Sequence, residues 1–310
     1  MPPALETVAS AQEGLVSTAQ CRAAGVSADR LARLVRSGGW SRVTRGVYDS
    51  DLTRVRDRPW AHRHRRAAWA ALLAFGPDAI AVGSCALALH GIQGLPRRVV
   101  PEAALPGAGR LVSRDGLRLR QFDDGMTVRR VARRLVVTPD WALAQAVPEL
   151  DREHAVSVMD SALYQGAVTR SELDRAHDLA RGRRGVARTH AWWELADARA
   201  ESPLETRARL ECVDHGLPPD QLQVPLPDAD GTLRRGDMGW RLDEERWLIA
   251  EIDGAEVHDT PSALFADRTR QNSLVTSGRV HVLRFTARDL GGDGTVARSV
   301  RRTLRALAPR

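Results

Sequence analysis

Apolar residues in the first fifty positions recur at helical spacing in short runs. Leu5 to Ala11 predicts one helix, stopped near Gly14. Ser17 is placed to cap a second helix through Ala23, and Ser27 a third from Ala28 to Ser37. Leu31, Leu34 and Val35 mark the inner side of that third helix. Gly38 and Gly39 end it. Trp40 to Val43 and Gly46 to Tyr48 then predict a short hairpin. Helix, helix, turn, helix, hairpin is the order of a winged helix-turn-helix, placed at residues 1–50.

Residues 51–200 read as a mostly helical α+β middle region. Helices are expected over Pro59 to Phe75, Ser84 to His90, Trp141 to Ala146, Ala155 to Gln165, Ser171 to Ala180 and Thr189 to Ala198. Two alternating strands are expected around Leu117 to Phe122 and Met126 to Val131. Arg181 to Arg188 is a basic, glycine-containing connection. From residue 201 to 310 the pattern changes. A helix over Ser202 to His215 precedes strands at Leu222 to Pro225, Asp237 to Leu242 and Trp247 to Asp253. A helix over Ser262 to Ser277, an apolar strand over Val280 to Phe285 and a helix over Thr295 to Leu307 complete it. Helices alternating with strands imply an α/β sheet.

Composition narrows the class. The hydrophobic share, 43% of 310 residues, suits globular folding, and no apolar run approaches a membrane span. The first residues lack a secretory pattern, so a cytoplasmic protein with no membrane partner is expected. Cys21, Cys85 and Cys212 are odd in number, far apart and without zinc spacing, which fits a reducing compartment. The net charge is +7, and all 46 basic residues counted in it are arginine. Guanidinium forks match phosphate oxygens, which points to nucleic acid, although genomic base composition also favours arginine.

Four acids stand out in the last region. Glu205 lies on the first turn of a helix, Asp237 starts a strand in RRGDMGW, and Glu251 and Asp253 end another in WLIAEIDG. Side-by-side strands can bring Asp237 and Glu251 together, and Glu251 and Asp253 share one strand face. Magnesium takes oxygen ligands of this kind and can activate a water against a phosphodiester. Each residue also has a plainer role. Ser202-Pro203-Leu204-Glu205 is a helix start in which Glu205 completes a capping box. Asp237 after Gly236 and Asp253 before Gly254 suit turns, and His258 suits a surface or packing role.

Taken together, SPLETRAR, RRGDMGW, AEIDGAEVH, ADRTRQNSLVTSG and HVLRFTARDL are similar, in order and spacing, to the DUF559 domain, a relative of the Vsr endonucleases in the PD-(D/E)xK superfamily. The resemblance covers about a hundred residues. It implies a restriction-endonuclease-like α/β domain and a magnesium- or manganese-dependent DNA endonuclease. It makes Asp237 and Glu251 the metal-ligating acids, joined by Glu205 and the carbonyl of Ile252, and His258 a general acid or base. Asp267, Arg268, Arg270 and Gln271 match the polar face of the following helix, with Arg268 and Arg270 as DNA contacts. Asp253 stands where the superfamily usually has lysine, as is usual in the DUF559 group. It cannot supply lysine's positive charge, which His258 or Arg268 would have to replace.

Arg30, Arg33 and Arg36 recur at three-residue intervals on the third helix, and Arg42 and Arg45 follow in the wing. That layout suits a major groove and its phosphates, or simply a solvated face. GLVSTAQCRAAGVSADRLARLVRSGGWSRVTRGVY is similar to the N-terminal winged-helix domain of AbiEi-type antitoxins, and GSCALALHGI to the stretch that follows it. This resemblance implies promoter binding and leaves open a cognate toxin. Two readings therefore stand: a DNA endonuclease with its own DNA-reading domain, and an antitoxin-like regulator whose nuclease fold is inactive or only binds DNA. Action on RNA is a third. His62 and His64, and the Ser84, Cys85 and His90 group, lack the partners that a metal site or a triad needs. The oligomeric state is not legible.

Overall fold

The computed structural model describes residues 1–51, 53–106, 112–120, 125–131, 133–227, 233–254 and 279–308. The chain divides into two compact units, Met1–Ala196 and Asp197–Arg310. Both mix helices and sheets, and no described helix is long and apolar enough to cross a membrane.

The first unit opens with α1 (Pro3–Ser10), β1 (Leu15–Ser17), α2 (Thr18–Ala23), α3 (Ala28–Arg36), β2 (Ser41–Thr44) and β3 (Val47–Asp49). Ser17 caps α2 in a reciprocal box with Gln20, and the Ser27 hydroxyl accepts from the Arg30 N–H. The expected hairpin gains a third strand, because β1 pairs with β3 in the antiparallel order β1-β3-β2. Leu5, Val16, Cys21, Leu31 and Trp40 form a buried cluster, with Leu34 and Val35 packed against it. Order and packing fit a winged helix-turn-helix.

The rest of this unit carries the six helices its sequence suggests and adds strands that it does not. It contains α4 (Trp60–Phe75), β4 (Ile80–Ala81), α5 (Gly83–Leu89), β5 (Glu102–Ala104), β6 (Arg118–Arg120), β7 (Val128–Val131), β8 (Arg134–Val137), α6 (Pro139–Ala146), α7 (Arg152–Tyr164), α8 (Arg170–Leu179) and α9 (His190–Glu194). The strands form one five-stranded sheet, β6-β5-β4-β8-β7. β4, β5 and β8 escape sequence reading because two to four residues are too few to display alternation.

A buried charge cluster ties the wing to α4. Asp49, at the end of β3, meets the guanidinium groups of Arg58 and Arg66, and these three side chains are 7%, 2% and 9% exposed. Beside them the Glu13 carboxylate meets His62 at 3.0 Å and Arg65 at 2.5 Å. The wing is also held at Thr44, whose hydroxyl donates to Asp115 at 2.6 Å.

The second unit runs α10 (Pro203–Asp214), β9 (Gln221–Pro227), β10 (Leu233–Arg241), β11 (Trp247–Asp253), β12 (Val280–Thr286) and α11 (Thr295–Leu307). Its sheet order is β12-β11-β10-β9. β9, β10 and β11 are antiparallel, and β12 is parallel to β11. Met238, Trp240, Leu248, Ala250 and Ile252 bury against Ala208 and Cys212 of α10 and Val296, Ala297 and Val300 of α11. The expected helix over Ser262 to Ser277 lies outside the described residues.

Replacing Asp49 with alanine leaves two guanidinium groups buried without their shared carboxylate. The expected cost is about 3–5 kcal/mol, read as a lower urea midpoint. A midpoint equal to wild type would show that the cluster contributes nothing.

Candidate functional site

Two sites follow from this scaffold, one in each unit. In the first, α3 presents an inner and an outer face. Leu31, Leu34 and Val35 turn inward, and Arg30 and Arg33 are exposed on the outer side. A groove of about 620 Å3 runs along α3, lined by Ala28, Leu31, Ala32, Val35 and Arg36 of α3, Arg22 of α2, and Arg42 and Tyr48 of the wing. Its apolar lining is Val26, Ala28, Leu31, Ala32 and Val35, and it includes three arginines from three elements. Of the five arginines that sequence spacing singles out, Arg36 and Arg42 line this groove, and Arg30, Arg33 and Arg45 do not. Arg45 is exposed in the turn of the wing, where its backbone N–H reaches Asp115 at 3.5 Å. Arg22 is missed by sequence reasoning. Its signal is its place on the exposed side of α2, just before the turn into α3.

The second site gathers acids. The β10–β11 register pairs Met238 with Ala250, which sets Asp237 opposite Glu251. Asp237 does not begin its strand as expected but lies inside β10. Gly236 beside it is not a turn glycine either: a Cβ there would sit 2.4 Å from the Ile249 side chain, so the close approach of β11 requires glycine. One Asp237 oxygen accepts from the Ile252 N–H at 2.7 Å. Burial pushes the Asp237 carboxyl up to about 7. The Ile252 N–H opposes this, and the charges of Glu205, Glu251 and Asp253 add to it. Of the four acids singled out in the sequence, three therefore act on the carboxylate of the fourth.

Glu205 is not the reciprocal capping partner that its helix start suggests. Ser202 caps the helix by accepting from the Glu205 N–H, but the Glu205 carboxylate accepts instead from the Glu201 N–H at 3.0 Å and from Gln223 at 3.2 Å. Burial pushes its carboxyl upward. Glu251 meets Arg284 of β12 at 3.0 Å, and Asp253 stands 4.0 Å from the same Nε. Sequence reasoning missed Arg284, although one arginine in the apolar run HVLRF is a visible signal. His258, Arg268 and Arg270, with Asp267 and Gln271, lie outside the described residues.

Among the described residues, no group of three or more His, Cys, Asp and Glu side chains is arranged to hold a metal ion. Asp237 and Glu251 are two carboxylates set opposite each other on β10 and β11. Magnesium binds through one or two carboxylates and keeps several waters. A carboxyl raised toward neutrality by burial and like charge is one that a cation would return to its ionised form.

The remaining candidates are structural. His62 pairs with Glu13, and His64 bonds the Pro96 carbonyl at 2.9 Å. His90 bonds the Val137 carbonyl and Arg129, while burial pushes the Cys85 thiol upward.

With this geometry in hand, comparison with known proteins gives two results. The family model described as "Transcriptional regulator, AbiEi antitoxin" matches residues 3–48. Two Mycobacterium tuberculosis proteins, "Uncharacterized protein Rv2248" (strain ATCC 25618 / H37Rv) and "Uncharacterized protein MT2308" (strain CDC 1551 / Oshkosh), are each 34% identical over 245 residues. The alignment covers 79% of this chain and 84% of each relative.

Asp237 makes stability depend on pH. Its folded value, about 7, lies above the ordinary 3.8. Below the lower value both states are protonated. Between the two the folded state binds more protons, so stability falls as pH rises through that window and stays reduced above it. Asp237→Asn removes this effect. Urea unfolding at pH 8, compared with pH 4.5, should show the variant gaining roughly 2–3 kcal/mol on wild type. Parallel pH profiles for the two proteins would refute it.

Proposed function

Because the chain belongs to the family of the mycobacterial proteins Rv2248 and MT2308 and carries an AbiEi-antitoxin regulator domain at residues 3–48, we propose that it is a DNA-binding transcriptional regulator of the antitoxin kind. The observation that carries this reading is the groove bordered by Arg22, Arg36 and Arg42. Guanidinium groups from α2, α3 and the wing grip phosphates on either side of α3 as it enters a major groove. Arg30 and Arg33, on the outer side of the same helix, reach adjoining phosphates or base edges. A cognate toxin is the partner this reading brings. Its test is co-purification with the product of an adjacent gene.

Gel shifts on the protein's own upstream DNA test the groove. The triple variant Arg22→Ala/Arg36→Ala/Arg42→Ala should weaken binding similarly across sequences. It should lower the slope of log affinity against log salt by about 3, roughly one per phosphate contact. Unchanged affinity and slope would remove the groove from the DNA interface.

Asp237 favours a second reading, in which the C-terminal unit hydrolyses phosphodiesters. Asp237 and Glu251, facing each other across β10 and β11, would hold magnesium or manganese with the Ile252 carbonyl and Glu205. The bound ion would supply an activated water and charge for the leaving oxygen. The fold is that of a PD-(D/E)xK domain in this reading, and His258 is its general acid or base. Nicking of supercoiled plasmid with magnesium should fall about 100-fold or more in Asp237→Ala. Equal nicking by wild type and variant would trace the activity to a contaminant and end this reading.

A further inference from the structure

The basic connection from Arg181 to Arg188 takes no part in either site, and it lines a pocket of its own in the first unit. Arg184, Gly185 and Arg188 of that segment, Arg118 of β6, and Pro148 and Glu149 of the 3-10 turn after α6 border about 580 Å3. That size suits a small ligand. Gly185 fastens two of its walls together. At φ +92°, a Cβ there would sit 2.4 Å from the Pro148 carbonyl oxygen.

The charges of the pocket do not cancel. Glu149 is committed to β6: one oxygen accepts from Arg118 at 2.8 Å and the other from Arg120 at 2.8 Å. The same two guanidinium groups meet the buried Glu102. Two arginines balance two carboxylates there, which leaves Arg184 and Arg188 uncompensated. Arg118 and Arg188 are each anchored through one nitrogen. Arg118 meets both of its acids through Nη1. Arg188 donates through Nη2 to the carbonyls of Pro148 at 3.3 Å and Leu150 at 2.9 Å, and its guanidinium lies 5.6 Å from the centre of the Trp192 ring. Among the described residues, no acceptor takes Nε or Nη2 of Arg118, or Nε or Nη1 of Arg188. Arg184 has no polar partner among them, and neither do the backbone N–H groups of Arg184 and Gly185.

We propose that this pocket binds a ligand carrying two or more linked phosphates. Arg118 and Arg188 supply planar forks that are held in place and keep donors to spare for phosphate oxygens. Arg184 supplies a third guanidinium, and successive backbone N–H groups are donors of the kind that cradle anions. Among the lining residues there is no aromatic side chain to stack a base, and Pro148 is the one apolar side chain. Recognition therefore rests on the phosphates and not on what they carry. Two sources share this chemistry: a small oligophosphate or its ester, and the backbone of a nucleic-acid strand. The inference stands apart from both readings above.

Calorimetric titration of the full-length protein with inorganic tripolyphosphate at low salt tests the first source. Binding of a short labelled DNA duplex tests the second, in full-length protein carrying Arg22→Ala, Arg36→Ala and Arg42→Ala. Arg184→Ala is the main variant, because that side chain holds nothing else in place. Arg188→Gln is the second. Arg98→Ala is the control, since it removes one exposed charge from outside the pocket. Tripolyphosphate should bind Arg184→Ala and Arg188→Gln about 10-fold more weakly than wild type, and Arg98→Ala equally well. Thermal unfolding at the wild-type temperature shows that the variants fold. That dependence with tripolyphosphate assigns the pocket to a small oligophosphate. No tripolyphosphate binding, with duplex binding about 10-fold weaker in Arg184→Ala, assigns it to a nucleic-acid backbone. If neither probe depends on Arg184, or if Arg98→Ala loses as much as Arg184→Ala, the proposal is overturned.

Discussion

A charge taken out of water must meet its opposite, and in this chain the opposite of every buried carboxylate has to be arginine or histidine. Asp49 is the clearest case. Two guanidinium groups converge on it, and through them the last strand of the wing is fastened to α4. The same solution recurs at Glu102, which Arg120 meets at 2.7 Å, and at Asp140, which Arg175 meets. These pairs sit where a strand or helix end must be fixed against a neighbouring element. Asp237 departs from the pattern. Its surrounding charges are those of Glu205, Glu251 and Asp253, and its carboxyl rises accordingly. A scaffold that pairs its buried acids elsewhere and gathers like charges at one place marks that place as having a purpose other than holding the fold.

Legibility in the sequence followed the range of the interaction. Local signals transferred well. Ser17 and Ser27 cap the helices they precede, and α11 spans the residues that its apolar spacing predicts. β11 was visible because Leu248, Ile249 and Ala250 form a short apolar run that ends in acids. Contacts between distant segments were not visible. β1 joins the wing through residues that read as a loop, and β4 and β5 are only two and three residues long. Arg284 reaches Glu251 through a parallel pairing across thirty-three positions, which no local pattern encodes. Glu205 shows the intermediate case. Its position on the first helical turn was right, but its carboxylate bonds Glu201 and Gln223, a choice that only tertiary packing could make.

The two candidate sites use one chemistry in two ways. On α3 and the wing, exposed guanidinium groups stand around an apolar groove, with no carboxylate among the lining residues. Along β11 and β12, a guanidinium is set among carboxylates. The first arrangement attracts phosphate without further help. The second holds more carboxylates than guanidinium groups, so its affinity for an anion depends on a cation joining it.

The groove bordered by Arg22, Arg36 and Arg42 has a consequence for control. A guanidinium stays protonated at any pH a cell reaches, so neither acidification nor alkalinisation changes the charge of this groove. Nor does the chain offer an ε-amino group for acylation to silence, because it contains no lysine. The positive charge of these arginines is therefore offset only from outside them, by salt, by a polyanion or by a protein that covers them.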